Sequence, residues 1–125
     1  NPSSHVFASE DMPPPYGFRG IEEGRLLTAR LRKYLGQPVT LYVGSEDTGD
    51  YRLSKSRWAM RQGANRLQRA HHAYQNAKSL AQENGWPFRW KLVEAKDVGH
   101  SSSDMLKAPA ALEALFPSDG AMRSK

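Results

Sequence analysis

The stretch Pro38-Val39-Thr40-Leu41-Tyr42-Val43-Gly44-Ser45-Glu46-Asp47-Thr48-Gly49-Asp50 decides the reading of the fold. β-Branched and aromatic residues fill positions 39–43 between two breakers, which predicts a short buried strand. Ser45 to Asp50 follows as a polar loop at the carboxyl end of that strand. On the amino-terminal side, Leu26, Leu27, Leu31, Tyr34 and Leu35 recur at three-and-four spacing, so a helix is expected from about Glu22 to Leu35, with Gly36 as its stop signal.

On the carboxyl-terminal side, a second helix is expected from Ala64 or Asn65 to about Glu83. Its apolar face carries Leu67, Ala70, His71, Tyr74, Ala77 and Ala81, and Asn84-Gly85 followed by Trp86-Pro87 ends it. Phe88 to Ala95 reads as a second strand centred on Trp90-Lys91-Leu92-Val93, and Val98-Gly99-His100-Ser101 as the loop that leaves it. A last helix is expected over Asp104 to Phe116, with Met105, Leu112, Leu115 and Phe116 as apolar contacts, Ser102 or Ser103 as its cap and Pro109 in its first turns.

Helix, strand, helix, strand, helix is the order that parallel strands joined by crossovers produce, so the fold class is α/β. Two strands bury too little to make an independent sheet. Residues 22–116 are therefore expected to form part of a doubly wound parallel sheet flanked by helices, at the edge of a larger sheet. Residues 1–21, with Pro13-Pro14-Pro15, are expected to form an irregular arm whose Phe7, Tyr16 and Phe18 pack against the body. Residues 117–125 are expected to form a flexible tail.

A chain of 125 residues is the size of one domain, and its 38% hydrophobic and 25% charged content is that of a globular protein. No apolar run approaches the roughly 20 residues that span a bilayer as a helix. Cysteine is absent, which excludes disulfides, thiol nucleophiles and thiolate metal sites. The net charge of +5 is unevenly placed: Tyr51 to Gln82 holds Arg52, Lys55, Arg57, Arg61, Arg66, Arg69 and Lys78 with no acid. The basic stretch 52–78, with Trp58 and Tyr74, gives an alternative reading as a non-catalytic domain that binds a polyanion such as nucleic acid. No nucleic-acid motif supports it, and a solvated helix face is the simpler account.

Each strand is followed by a polar loop, Gly44-Ser45-Glu46-Asp47-Thr48 after the first and Gly99-His100-Ser101 after the second. Loops at strand carboxyl ends converge on one crevice in open parallel sheets. Asp47 and His100 are thus expected to meet despite the residues between them. A carboxylate that accepts from one imidazole nitrogen fixes the tautomer and leaves the other nitrogen to take a hydroxyl proton. Glu46 and Asp50 are the other acids within reach.

At these residues the chain resembles the α/β-hydrolase superfamily. Val39 to Asp47 looks like the penultimate core strand and acid turn, and Val98-Gly99-His100 like the histidine loop. Arg61-Gln62-Gly63-Ala64-Asn65-Arg66 and the helix after it are similar to esterase and depolymerase-like members. The resemblance implies that Asp47, three residues beyond Gly44, is the acid of a Ser-His-Asp triad and that His100 is its histidine. It implies a serine on a G-x-S-x-G elbow earlier in the chain, and these 125 residues contain no such motif. The expectation is a carboxy-terminal segment of a serine hydrolase that cleaves an ester, polyester or amide, whose missing amino-terminal part supplies the nucleophile and oxyanion hole. No cofactor and no metal is called for.

Other signals carry less. His71 and His72 point about 100° apart on a helix and lack a third ligand, so packing for His71 and solvent for His72 are expected. Ser101, Ser102 and Ser103 are too close to His100 to serve it as nucleophiles. Trp58, Trp86 and Trp90 are expected to pack.

Overall fold

The computed structural model describes residues 3–9, 11–20 and 24–115. Two strands, β1 (Thr40–Gly44) and β2 (Lys91–Ala95), pair in parallel with Tyr42 opposite Val93 and Gly44 opposite Ala95. Helix α1 (Gly24–Gly36) precedes β1, helices α2 (Arg57–Gln62) and α3 (Arg66–Asn84) join the strands, and α4 (Ser102–Lys107) and α5 (Ala110–Leu115) follow β2. The α/β class and the small parallel sheet flanked by helices are as the sequence predicts.

Strand alternation sorts the helices onto two faces. Leu41 packs into the cluster built by Leu27, Leu31 and Leu35 of α1 and Ala77 and Ala81 of α3, and Glu94 reaches His71 of α3. On the other face, the Tyr42 hydroxyl donates to Met105 O in α4 at 2.6 Å and Lys91 Nζ to Glu113 O in α5 at 2.9 Å. The sheet therefore lies between two helical layers.

Alanine dominates the buried face of α3, at Ala70, Ala73, Ala77 and Ala81, which lets the helix axis approach the sheet closely. Asn65 caps its start by accepting from Gln68 N at 2.9 Å, and Gly85 ends it in the left-handed conformation that glycine adopts without strain. The amino-terminal arm packs as expected, with Phe7 and Phe18 buried and Tyr16 half-buried.

Several local expectations are corrected. The segment 57–62 is helical, capped by Ser56, whose Oγ accepts from Ala59 N at 3.2 Å. The last helix is two helices, because Ala108 and Pro109 break it: Ala108 is extended at ψ 148, as a residue before proline prefers. Its cap is Ser101, which accepts from Asp104 N, rather than Ser102 or Ser103. Leu26, Leu112 and Leu115 are exposed, Leu26 at 69%, because α1 turns Leu27 and Leu31 inward and α5 buries Ala111 instead. Glu22, Phe116 and the tail 117–125 lie outside the described residues.

Candidate active site

The acid turn and the histidine loop are joined by their backbones. Ser45 N–H donates to Ala95 O at 2.9 Å, Glu46 N–H to Val98 O at 2.8 Å, and Asp97 N–H to Ser45 Oγ at 2.8 Å. Gly44 lies against the second loop so closely that a Cβ there would sit 2.1 Å from Val98 O. Only a residue without a side chain permits that crossing.

Asp47 is held from both directions. Its N–H donates to Gly44 O at 3.1 Å, closing the turn, and its carbonyl accepts from Leu67 N at the start of α3, also at 3.1 Å. The buried Arg66 guanidinium donates to Tyr51 O and Arg52 O, each at 3.0 Å, and so fixes the far end of the same loop.

The two predicted side chains come together. His100 Nδ1–H donates to Asp47 Oδ2 across 3.2 Å, with the Asp47 side chain 1% exposed and the His100 side chain 42% exposed. A buried carboxylate facing a half-open imidazole fixes one ring nitrogen and leaves Nε2 toward solvent-accessible space, where no hydrogen bond among the described residues engages it. Chemically this is an oriented proton acceptor. The rival acids stand apart: Glu46 is exposed, and Asp50 pairs with Lys55 at 3.2 Å on the surface, a contact that lowers its pKa.

Elsewhere the signals resolve into structure. His71 Nε2 meets Glu94 at 2.7 Å, and His72 is exposed as expected while its Nδ1 bonds to Gln62 O at 2.7 Å. No cluster of His, Cys, Asp and Glu among the described residues could hold a metal. Among the described residues, no helix is long and apolar enough to cross a membrane. Two of the seven cations in the basic stretch are buried rather than displayed: Arg66 clamps the acid loop, and Arg69 donates to Gly63 O at 2.8 Å and to Ser3 O. The charge that this stretch displays for a polyanion is correspondingly reduced.

Sequence reasoning missed the buried polar pegs. Gln62 Nε2 donates to His5 O at 2.7 Å while its Oε1 accepts from His5 N at 2.9 Å, so one amide satisfies the arm's backbone as a strand would. His5 itself is pushed down to about 4, chiefly by burial and further by the charge of Arg69. A helical start signal at Ser56 marks the segment that presents Gln62, but nothing local marks the arm as its partner.

No protein-family model and no curated protein matches the chain. Solved structures do. The chain superposes on the poly(3-hydroxybutyrate) depolymerase LpqC from Bordetella parapertussis with a TM-score of 0.76 and 28% identity, over 96% of this chain and 40% of that one. It superposes on poly(aspartic acid) hydrolase-1 from Sphingomonas sp. KT-1 with a TM-score of 0.75 and 30% identity, over 84% of this chain and 39% of that one. The chain thus spans about two fifths of the length of either structure.

Proposed function

We propose that this chain, which shares its fold with the corresponding part of α/β-hydrolase enzymes, supplies the acid and histidine of a Ser-His-Asp triad. The serine and the oxyanion hole belong to a segment outside these 125 residues. The observation that carries the reading is the Asp47–His100 hydrogen bond at the shared rim of two parallel strands.

In the reaction, His100 Nε2 takes the serine hydroxyl proton as the serine oxygen bonds to the substrate's acyl carbon. Asp47, accepting from Nδ1–H, orients the ring and stabilises the imidazolium that forms. Nε2 then gives its proton to the departing alcohol or amine as the acyl bond breaks. Water repeats the sequence, leaving a carboxylic acid and free serine. The substrate is an ester, a polyester or an amide polymer. The two neighbours, named for hydrolysis of a polyester and of poly(aspartic acid), support a polymeric substrate.

His100→Ala in the complete protein should lower kcat for ester hydrolysis by on the order of 10³-fold or more while the protein stays folded. Retained turnover in that variant rejects the assignment. The 125-residue chain by itself should show no esterase activity.

A further inference from the structure

Around Trp58, half-buried on α2, three guanidinium groups converge. Arg57 lies 4.8 Å from the indole centroid, and Arg19 and Arg61 each lie 5.1 Å from it. Arg19 arrives from the arm, whereas Arg57 and Arg61 flank the tryptophan on one short helix. No ion pair engages any of the three among the described residues, and α2 has no acid in its first turn.

Like charges at i and i+4 repel on a helix, and a third cation added to one ring increases that cost. Cation–π contact offsets part of it, by about 0.5–1 kcal/mol for an exposed pair. Neutralisation by a bound anion would offset the rest. The platform is preformed. Trp58 packs on the cluster of Phe7, Met12 and Ala73, and the Tyr16 hydroxyl shares a 2.9 Å hydrogen bond with Ser56 Oγ at the helix cap.

Its place in the fold gives the cluster a use. The start of α3 is tied to the acid turn by Leu67 N and Asp47 O, and α2 packs against α3 just before that start. Helix α3 thus links the helix that carries Trp58 to the turn that carries Asp47. Three cations gather within 5.1 Å of one indole centroid, so a chain bearing several anionic groups matches their charge better than a single anion.

We infer that Arg19, Arg57 and Arg61 around Trp58 form a docking site for a polymer with repeated carboxylates, whose acyl linkages this hydrolase cleaves. The acyl linkage rests on the function proposed above; the docking site rests on the cluster itself. Guanidinium groups bind carboxylate and phosphate alike. A nucleic acid contains no acyl bond for the Asp47–His100 pair to act on, which favours the polycarboxylate.

The test is fluorescence anisotropy of labelled poly(malic acid), a polyester with a carboxylate on each unit, titrated with the complete protein. Binding should weaken with salt, fall about tenfold or more in Arg57→Gln/Arg61→Gln, and remain at wild-type strength in His100→Ala. Undiminished binding by a natively folded double variant would overturn the site. So would a single-stranded oligonucleotide that binds more tightly than poly(malic acid). If the double variant does not fold, Arg19→Gln on the arm serves instead: loss of affinity supports the site and unchanged affinity overturns it. Ester turnover retained in His100→Ala, with polymer binding still dependent on Arg57 and Arg61, would remove the hydrolase reading and leave the docking site in place.

Discussion

A methyl group at position 44 would have to occupy space within 2.1 Å of a carbonyl oxygen that belongs to the histidine loop. Gly44→Ala should therefore part the two loops, lowering Tm and ester turnover together, whereas substitutions at the open Gly49 should change neither. His5 gives the chain a pH dependence. Its pKa is about 4 in the fold and 6.5 when unfolded, so between those values the unfolded chain binds more protons. Stability from this group is complete above about 6.5 and is lost as pH falls toward 4. Denaturant midpoints measured across that window should decline, and His5→Gln should flatten the decline. That Asp47 and His100 would meet was legible because each lies in a short polar loop after a strand, and the choice of Asp47 over Glu46 and Asp50 came from the resemblance. The clamps made by Arg66, Gln62 and Arg69 were not, because each joins a side chain to a backbone carbonyl whose path only the folded loops define.

Among the elements, the arm is held by polar contacts as much as by its aromatics. Arg69 is fully buried with its guanidinium spent on Gly63 O and Ser3 O, so Arg69→Leu strands two carbonyls and frees the arm. A loss of about 2–4 kcal/mol is expected, read by denaturant unfolding, with new cleavage within residues 3–20 under limited proteolysis. The long helix α3 was legible from its period and its Asn84-Gly85 stop, and its start was read to within two residues. The short α2 was not, since six residues give fewer than two turns of periodicity and its one signal, Ser56, sits within a run of cations. Pro109 was read within the first turns of a single helix rather than as a break; the serine cap upstream starts a helix early enough for proline to interrupt it.

For the molecule as a whole, the size of the sheet sets the expectation. Among the described residues β1 pairs with β2 alone, leaving one edge of a buried-type parallel strand without a neighbour. If the proposed remainder of the domain adds a strand there, amides of residues 40–44 should exchange far more slowly in the complete protein than in this chain, by hydrogen exchange with mass spectrometry. That the sheet is small was legible from the strand count. Which face each helix covers was not, because it depends on register, which periodicity leaves free. One contact within that arrangement offers a built-in optical reporter. The Tyr34 ring meets Trp90 edge-on at 4.9 Å and its hydroxyl holds Val6 O in the arm. The asymmetric field on that indole, and with it the near-ultraviolet dichroism it generates, should fade when the arm lifts away, while the helical far-ultraviolet spectrum persists.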